Sequence, residues 1–150
     1  MKTKVHYIPE GLHTITPLMT VNYAARVIDF LKKVFDAEEL YRMDAPDGKL
    51  MHAEVQVGDS RIMLGEASGE WKPFPASLYL YVEDVDATYQ KALDAGANSI
   101  MPPADMFWGD RYSEVQDESG NRWCIATHIE DVSPEEMTRR GAEWMRQQKK

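Results

Sequence analysis

The sequence predicts an α+β fold made of two tandem β-α-β-β-β modules followed by a C-terminal helix. Three observations carry this reading. Val27, Ile28, Leu31, Val34 and Phe35 recur at helical spacing, so Asn22–Phe35 forms an amphipathic helix. Leu50–Val57 alternates strictly, with Met51, Ala53, Val55 and Val57 on one face and His52, Glu54 and Gln56 on the other, which is the pattern of a strand covered on one side. Landmarks also recur at one offset. Val21 and Val82 end strands 61 residues apart, and Arg61 and Arg122 open strands after glycine-containing turns, again 61 apart. The helix ends near Asp36 and Gly96 lie 60 apart.

Each element has a local reason. Residues 1–12 show no period and read as an arm. Ile15–Val21 is β-rich and short, hence a strand, and Asn22 stands where a helix N-cap belongs. Glu39–Met43 is a short strand before the turn Ala45-Pro46-Asp47-Gly48. Leu50–Val57 and Arg61–Leu64 make a hairpin around Gly58-Asp59. Ala67–Ala76, with Gly69, Pro73 and Pro75, reads as a linker. The order then repeats. Leu78–Val82 is a strand, and Asp84–Ala95 is a helix with Val85, Tyr89, Ala92 and Leu93 on one face, stopped by Gly96. Ser99–Met101 is a short strand ending at Pro102-Pro103. Arg111–Gln116 and Arg122–Thr127 are strands on either side of Asp117-Glu118-Ser119-Gly120. Pro134–Gln147 is a helix with Ser133 as N-cap, Pro134 in its first turn and Glu136 placed to complete a capping box. The expected domain is therefore residues 1–132, with modules at 13–66 and 77–132 joined by the linker 67–76, and the helix occupies 133–150.

Composition narrows the function classes. The chain has 150 residues, enough for a core without disulfides or structural metal. Its net charge of −8 argues against a nucleic-acid binder and against adhesion to anionic membranes, and leaves cationic or neutral small molecules as the easier ligands. The single cysteine, Cys124, excludes an intrachain disulfide framework and a multi-cysteine zinc site. The N-terminal residues lack a signal-peptide core, and no apolar run reaches the ~20 residues of a membrane span. The expected location is cytoplasmic.

An ordered set of short stretches resembles the vicinal oxygen chelate superfamily, which includes glyoxalase I, bleomycin resistance proteins and extradiol dioxygenases, and within it the PhnB-like branch. The stretches are Ile28-Asp29-Phe30, Phe35-Asp36-Ala37-Glu38, Pro46-Asp47-Gly48, Met51-His52-Ala53-Glu54, Gly58-Asp59-Ser60 and Tyr79 to Asp86. They continue with Phe107-Trp108-Gly109-Asp110-Arg111, with Asp117, Gly120 and Trp123, and with Ala126-Thr127-His128. The resemblance covers about Ile15 to Val132. The family's usual Asp-Pro-aromatic-Gly turn is here Asp117-Glu118-Ser119-Gly120. Metal-dependent members hold a divalent ion with side chains from the first and last strand of each module. The resemblance carries those positions to Thr16 and Ser77, and to Met63 and Cys124. Two hydroxyls, a thioether and a thiol make a poor site for Zn²⁺, Ni²⁺, Mn²⁺ or Fe²⁺. No metal cofactor is therefore expected, and the four residues are read as lining a ligand site. A homodimer is expected as well, with modules swapped or unswapped.

Strand parity proposes further site residues. His52 and Glu54 lie on the face opposite the predicted helix and are candidates for acid–base work; the alternative is an ordinary solvated strand face. Tyr79 and Tyr81 share a face with Ser77 and, with Trp108, Phe107 or Trp71, could make an aromatic pocket; the alternative is a plain core. Trp108 and Arg111 lie on a loop suited to ligand binding, or else the loop plugs the modules together and Asp110 with Arg111 forms a surface pair. Cys124 reads as an inert buried thiol, because His128, four residues on, is too far along the strand to activate it. His6 and His13 fall in the arm and make poor ligands. Phosphate loops and nucleophile elbows are absent from the sequence. Met137, Trp144 and Met145 form an apolar stripe suited to packing.

Three functions follow. The first is metal-free binding or sequestration of a small cationic or aromatic ligand. The second is a glyoxalase-like lyase or isomerase with a non-standard metal site or with His52 and Glu54 as acid and base. The third is a structural dimer without turnover.

Overall fold

The structure is a computed structural model that describes residues 4–150; the first three residues of the predicted arm lie outside the described residues. The chain divides into two compact units, residues 1–75 and 76–150. Among the described residues, each unit holds one four-stranded mixed sheet and a helix packed on it, and a third helix ends the second unit.

In the first unit the elements are β1 (Leu18–Val21), α1 (Ala24–Phe35), β2 (Glu38–Asp44), β3 (Leu50–Val57) and β4 (Ser60–Glu66), with sheet order β1-β4-β3-β2. β1 runs parallel to β4, and the other neighbours are antiparallel. Met19, Val21, Ala53, Val55, Ile62 and Leu64 meet Val27, Ile28, Leu31 and Val34 of α1 in a core closed to water. β1 is shorter than the β-rich run from Ile15 suggests, because pairing with β4 starts only at Leu18 opposite Met63. Met51 does not join the apolar face that alternation assigns to it. It is the extra residue of a bulge, with Leu50 paired to Asp44 and His52 to Met43, and its side chain is exposed.

Asn22 is not the cap of α1. The helix starts one residue later, from Tyr23 in the left-handed region at φ 61, and Glu66 supplies the cap. Glu66 accepts from the Tyr23 amide at 2.9 Å and from the Ala24 amide at 2.8 Å. A carboxylate from a distant strand thus meets two of the unpaired N–H groups and the positive end of the helix dipole.

The second unit repeats the plan with β5 (Ser77–Tyr81), α2 (Val85–Asp94), β6 (Asn98–Asp105), β7 (Asp110–Gln116) and β8 (Arg122–His128), in the order β5-β8-β7-β6. The register repeats as well: Leu18 faces Met63, and 61 residues on Tyr79 faces Cys124. Glu54 faces Met63, and Glu114 faces Cys124. The Asp117 turn of the second hairpin is one residue longer, which lowers the offset to 60 between β3 and β7. β6 continues through Pro102-Pro103, where the sequence reading ends it. It is an edge strand with an irregularity between Met101 and Ala104, a position that tolerates missing N–H donors.

The departure at the Asp117-Glu118-Ser119-Gly120 turn leaves the turn intact. Asp117 accepts from the amides of Ser119 and Asn121, from the Asn121 side chain and, at 2.9 Å, from Trp123 Nε1. That anchor holds Trp123 in the core, where it is fully buried.

α3 (Pro134–Gln148) closes the unit. Ser133 caps it by accepting from the Glu136 amide, but the Glu136 carboxylate binds Arg139 and Arg140, so the expected box is half made. Residues 67–76 are more ordered than a plain linker. Ser68 and Trp71 exchange two backbone hydrogen bonds, and the Phe74 amide donates to Thr20 O at the edge of β1. Among the described residues no helix is long and apolar enough to cross a membrane.

Candidate functional site

Alternation decides what each open sheet face presents. In the second unit Leu78, Trp123, Ile125, Ser113 and Val115 turn toward the helix side. Tyr79, Tyr81, Asp110, Tyr112, Glu114, Cys124 and His128 turn the other way. The register sets Asp110 directly opposite His128, and Tyr81 and Tyr112 both opposite Ala126, whose small side chain leaves room between the two rings.

A hydrogen-bonded cluster results. Asp110 is buried at 3% exposure. Its Oδ2 accepts from the Tyr79 phenol at 2.6 Å and from the Tyr81 phenol at 3.1 Å. Its Oδ1 meets His128 Nδ1 at 2.8 Å, and His128 Nε2 meets Asp131 Oδ1 at 2.7 Å. With a carboxylate at each nitrogen, both nitrogens donate only in the imidazolium form. Asp131 first, and then Asp110, raise the His128 pKa above the ordinary histidine value. Burial works against ionisation of Asp110, but the hydrogen bonds from Tyr79, His128 and Tyr81 outweigh it and hold the carboxyl below the usual aspartate range. Burial, together with the bond to Asp110, pushes the Tyr79 phenol well above its ordinary pKa.

Around this charge stand aromatic rings. Tyr79 stacks on Tyr112 with centroids 5.5 Å apart, and Trp108 meets Tyr112 edge-on at 5.7 Å. Trp108 Nε1 also donates to the Tyr79 hydroxyl at 3.2 Å. The Trp108 loop is fixed from behind. The amides of Ile129 and Glu130 donate to Gly109 O, Phe107 packs against Trp144 of α3, and Arg140 donates to Phe107 O while pairing with Glu130. The apolar stripe of α3 thus packs on this loop through Trp144.

The sequence-predicted residues fall into groups. Tyr79, Tyr81 and Trp108 come together as one cluster. Arg111 points away from them, its guanidinium held by Asp86 at 2.8 Å and Asp105 at 2.9 Å. The suggested Asp110–Arg111 surface pair does not form, because consecutive strand residues face opposite ways. Ser77 Oγ lies 3.9 Å from Cys124 Sγ, and Cys124 is buried. In the first unit Met63 is half-buried opposite Leu18 and Glu54, while Thr16 precedes β1 and donates to His13 O. Glu54 pairs with Arg61 at 3.7 Å, and the His52 ring lies 6.3 Å from that of Tyr41. Asp110, Tyr112 and His128 are not among the residues that the sequence assigns to the site. The alternation that turns Tyr79 to the open face turns His128 there too, opposite Asp110.

The donor set at the four positions that the resemblance assigns to a metal does not fit a divalent ion, since Ser77 and Cys124 offer a hydroxyl and a thiol, and Thr16 and Met63 a hydroxyl and a thioether. Among the described residues no group of three or more His, Cys, Asp or Glu side chains is arranged to hold a metal ion.

Two β-α-β-β-β units repeated in one register define the architecture of the vicinal oxygen chelate superfamily. The chain belongs to the Glyoxalase/Bleomycin resistance protein/Dioxygenase superfamily, whose family model matches residues 11–125. An uncharacterized protein of Mycobacterium bovis is 37% identical over 134 residues, spanning 82% of this chain and 88% of the relative. Among solved structures, TioX from Micromonospora sp. ML1 superposes with a TM-score of 0.62 at 25% identity, covering 77% of this chain and 99% of TioX. The PhnB protein from Bacillus cereus gives a TM-score of 0.63 at 19% identity over 77% of this chain and 99% of its own, which is a likeness of fold.

Proposed function

We propose that the protein binds and sequesters a flat, cationic small molecule on the open face of the second unit. The observation that carries this reading is the grouping of Tyr79, Tyr81, Tyr112 and Trp108 around the buried, ionised Asp110. Aromatic rings offer stacking area and a negative quadrupole to a planar cation. Asp110 itself is fully engaged, so it orders the phenols and supplies a negative field rather than a direct contact. The chain's net charge of −8 acts in the same sense.

The test is calorimetric titration with 9-aminoacridine, a planar cation, and with anthracene-9-carboxylate, a planar anion of similar size. The cation is expected to bind and to raise the melting temperature. Tyr81→Leu and Trp108→Ala are each expected to weaken it. Equal binding of the two probes, or cation binding unaltered by both variants, overturns the reading.

A second reading, turnover of lyase or isomerase type, is favoured by the Asp110–His128 pair. Here an imidazolium beside a buried carboxylate could serve as a general acid. Under this reading a ligand recovered after incubation is chemically altered by the wild type and unaltered by His128→Gln. Recovery of unchanged ligand from both returns the choice to sequestration.

A further inference from the structure

The first unit contains a separate cleft of about 420 Å³, within the size range of small-molecule sites. Its apolar wall is made by Leu18, Leu50, Met51 and Trp71. The bulge at Met51 turns that side chain outward, and Gly65 permits it: a Cβ at Gly65 would stand 3.0 Å from Met51 O. Trp71 is held at the rim by its paired backbone bonds to Ser68.

The polar lining is unequal. Two carboxylates are present, and backbone amides engage both oxygens of Glu66 and one of Asp47. Glu66 spends one oxygen on each of the amides that open α1. Asp47 Oδ1 is turned back onto the Lys49 amide at 3.0 Å. The donors are less committed. Among the described residues, the Lys49 ammonium, the His52 imidazole and the Thr20 and Ser68 hydroxyls have no hydrogen-bond or ion-pair partner. Uncommitted donors beside an apolar wall suit an anion that carries an apolar body, with the Asp47 carboxylate as the competing charge. One lysine in a strongly acidic chain suits a single negative charge better than a dianion.

We propose that this cleft is a second binding site, for a small monocarboxylate with an apolar body. Lys49 and His52 hold the carboxylate, and Met51, Leu18 and Trp71 cover the body. The site prefers the charge opposite to that of the ligand proposed for the second unit.

The test uses protein labelled with ¹³C at the methionine methyls, with the Met51 signal assigned through Met51→Leu. Met101 and Met106 report on the second unit. The probes are 2-naphthoate, 2-naphthamide and 2-naphthyl phosphate. The proposal expects 2-naphthoate to shift Met51 while leaving Met101 and Met106 in place, and the amide to bind roughly tenfold more weakly or worse, as the loss of a charge-assisted hydrogen bond implies. Lys49→Gln is expected to reduce naphthoate affinity by a similar factor without changing amide affinity. Asp47→Asn, which removes the competing charge but keeps the turn, should tighten it. Equal binding of acid and amide, tighter binding of the phosphate, indifference to Lys49→Gln, or no shift at Met51 would each overturn the proposal. The 9-aminoacridine titration reads the other unit, so the two readings stand or fall separately.

Discussion

Glu66 and Thr127 hold the same station in the two units, 61 residues apart, and each caps the helix beside it. Glu66 accepts from the amides of Tyr23 and Ala24, and Thr127 Oγ1 accepts from the Val85 amide while donating to Val82 O. The second helix has a cap of its own as well, since Asp84 accepts from Ala87 N. In the first helix Tyr23 makes no side-chain cap, and Glu66 takes that place from another strand.

Glu66→Ala is therefore expected to cost about 2 kcal/mol, the upper end for a lost cap, and Thr127→Val about 1 kcal/mol. Glu66→Gln should fall between wild type and Glu66→Ala, keeping an acceptor but losing the charge. Urea unfolding of the three variants gives the order. Amide exchange at Ala24 should accelerate most in Glu66→Ala and not at all in Thr127→Val. An Ala24 rate matching wild type in that variant would show that the cap is idle in solution.

The Asp110–His128–Asp131 chain sets a pH window. The folded pKa of Asp110 lies below its unfolded value, so its stabilisation is present above about pH 4 and is lost as pH falls through the folded pKa. The folded pKa of His128 lies above its unfolded value, so its stabilisation is full below about pH 6.5 and is lost as pH rises through the raised folded pKa. The stability difference between wild type and His128→Gln should be greatest between about pH 4 and pH 6.5 and shrink on both sides. A difference that stays flat from pH 5 to pH 9 contradicts the assigned charge on His128.

The two units were legible in the sequence because helical and strand periods follow directly from which face is covered. The 61-residue offset is the structure's own register, as the pairs Leu18–Met63 and Tyr79–Cys124 demonstrate. Long-range caps were not legible. Asn22 has the right local chemistry, and only the fold brings Glu66, 44 residues away, to the same amides. The Met51 bulge hid for a similar reason, since alternation assumes one residue per partner. Within the site, parity found Tyr79 and Tyr81 but not their shared acceptor. Asp110 beside Arg111 looks like an ion pair when the chain is read as a line. On a strand the two side chains diverge, one into the cluster and one to Asp86 and Asp105.

Glu54 and Glu114 are a second equivalent pair, each joined to an arginine at the start of the next strand, Arg61 and Arg122. Their surroundings differ. Glu114 is buried and also accepts from the Tyr112 hydroxyl, whereas Glu54 is half-buried. Arg122→Met leaves a buried carboxylate without its half-exposed cation and is expected to cost about 2 kcal/mol. Arg61→Met should cost under about 1 kcal/mol. Thermal unfolding of the two variants side by side checks this. Equal losses would mean that burial does not distinguish the pairs.

Gly109 and Gly141 flank the aromatic loop and should respond oppositely to alanine. Gly109 has φ 98, and a Cβ there would collide with Glu130 O, whose residue donates its amide to Gly109 O. Gly109→Ala must therefore break the contact that seats Trp108 beside Tyr79. It should lower stability by about 2 kcal/mol or more and weaken binding of 9-aminoacridine. Gly141 lies inside α3, and a Cβ would rest 3.5 Å from the Phe107 ring, an ordinary contact. Gly141→Ala gains helix propensity and a packing contact, so it should raise stability by up to about 1 kcal/mol and leave binding unaltered. If Gly141→Ala also weakened binding, α3 would be acting on the site by more than propping the Phe107 loop.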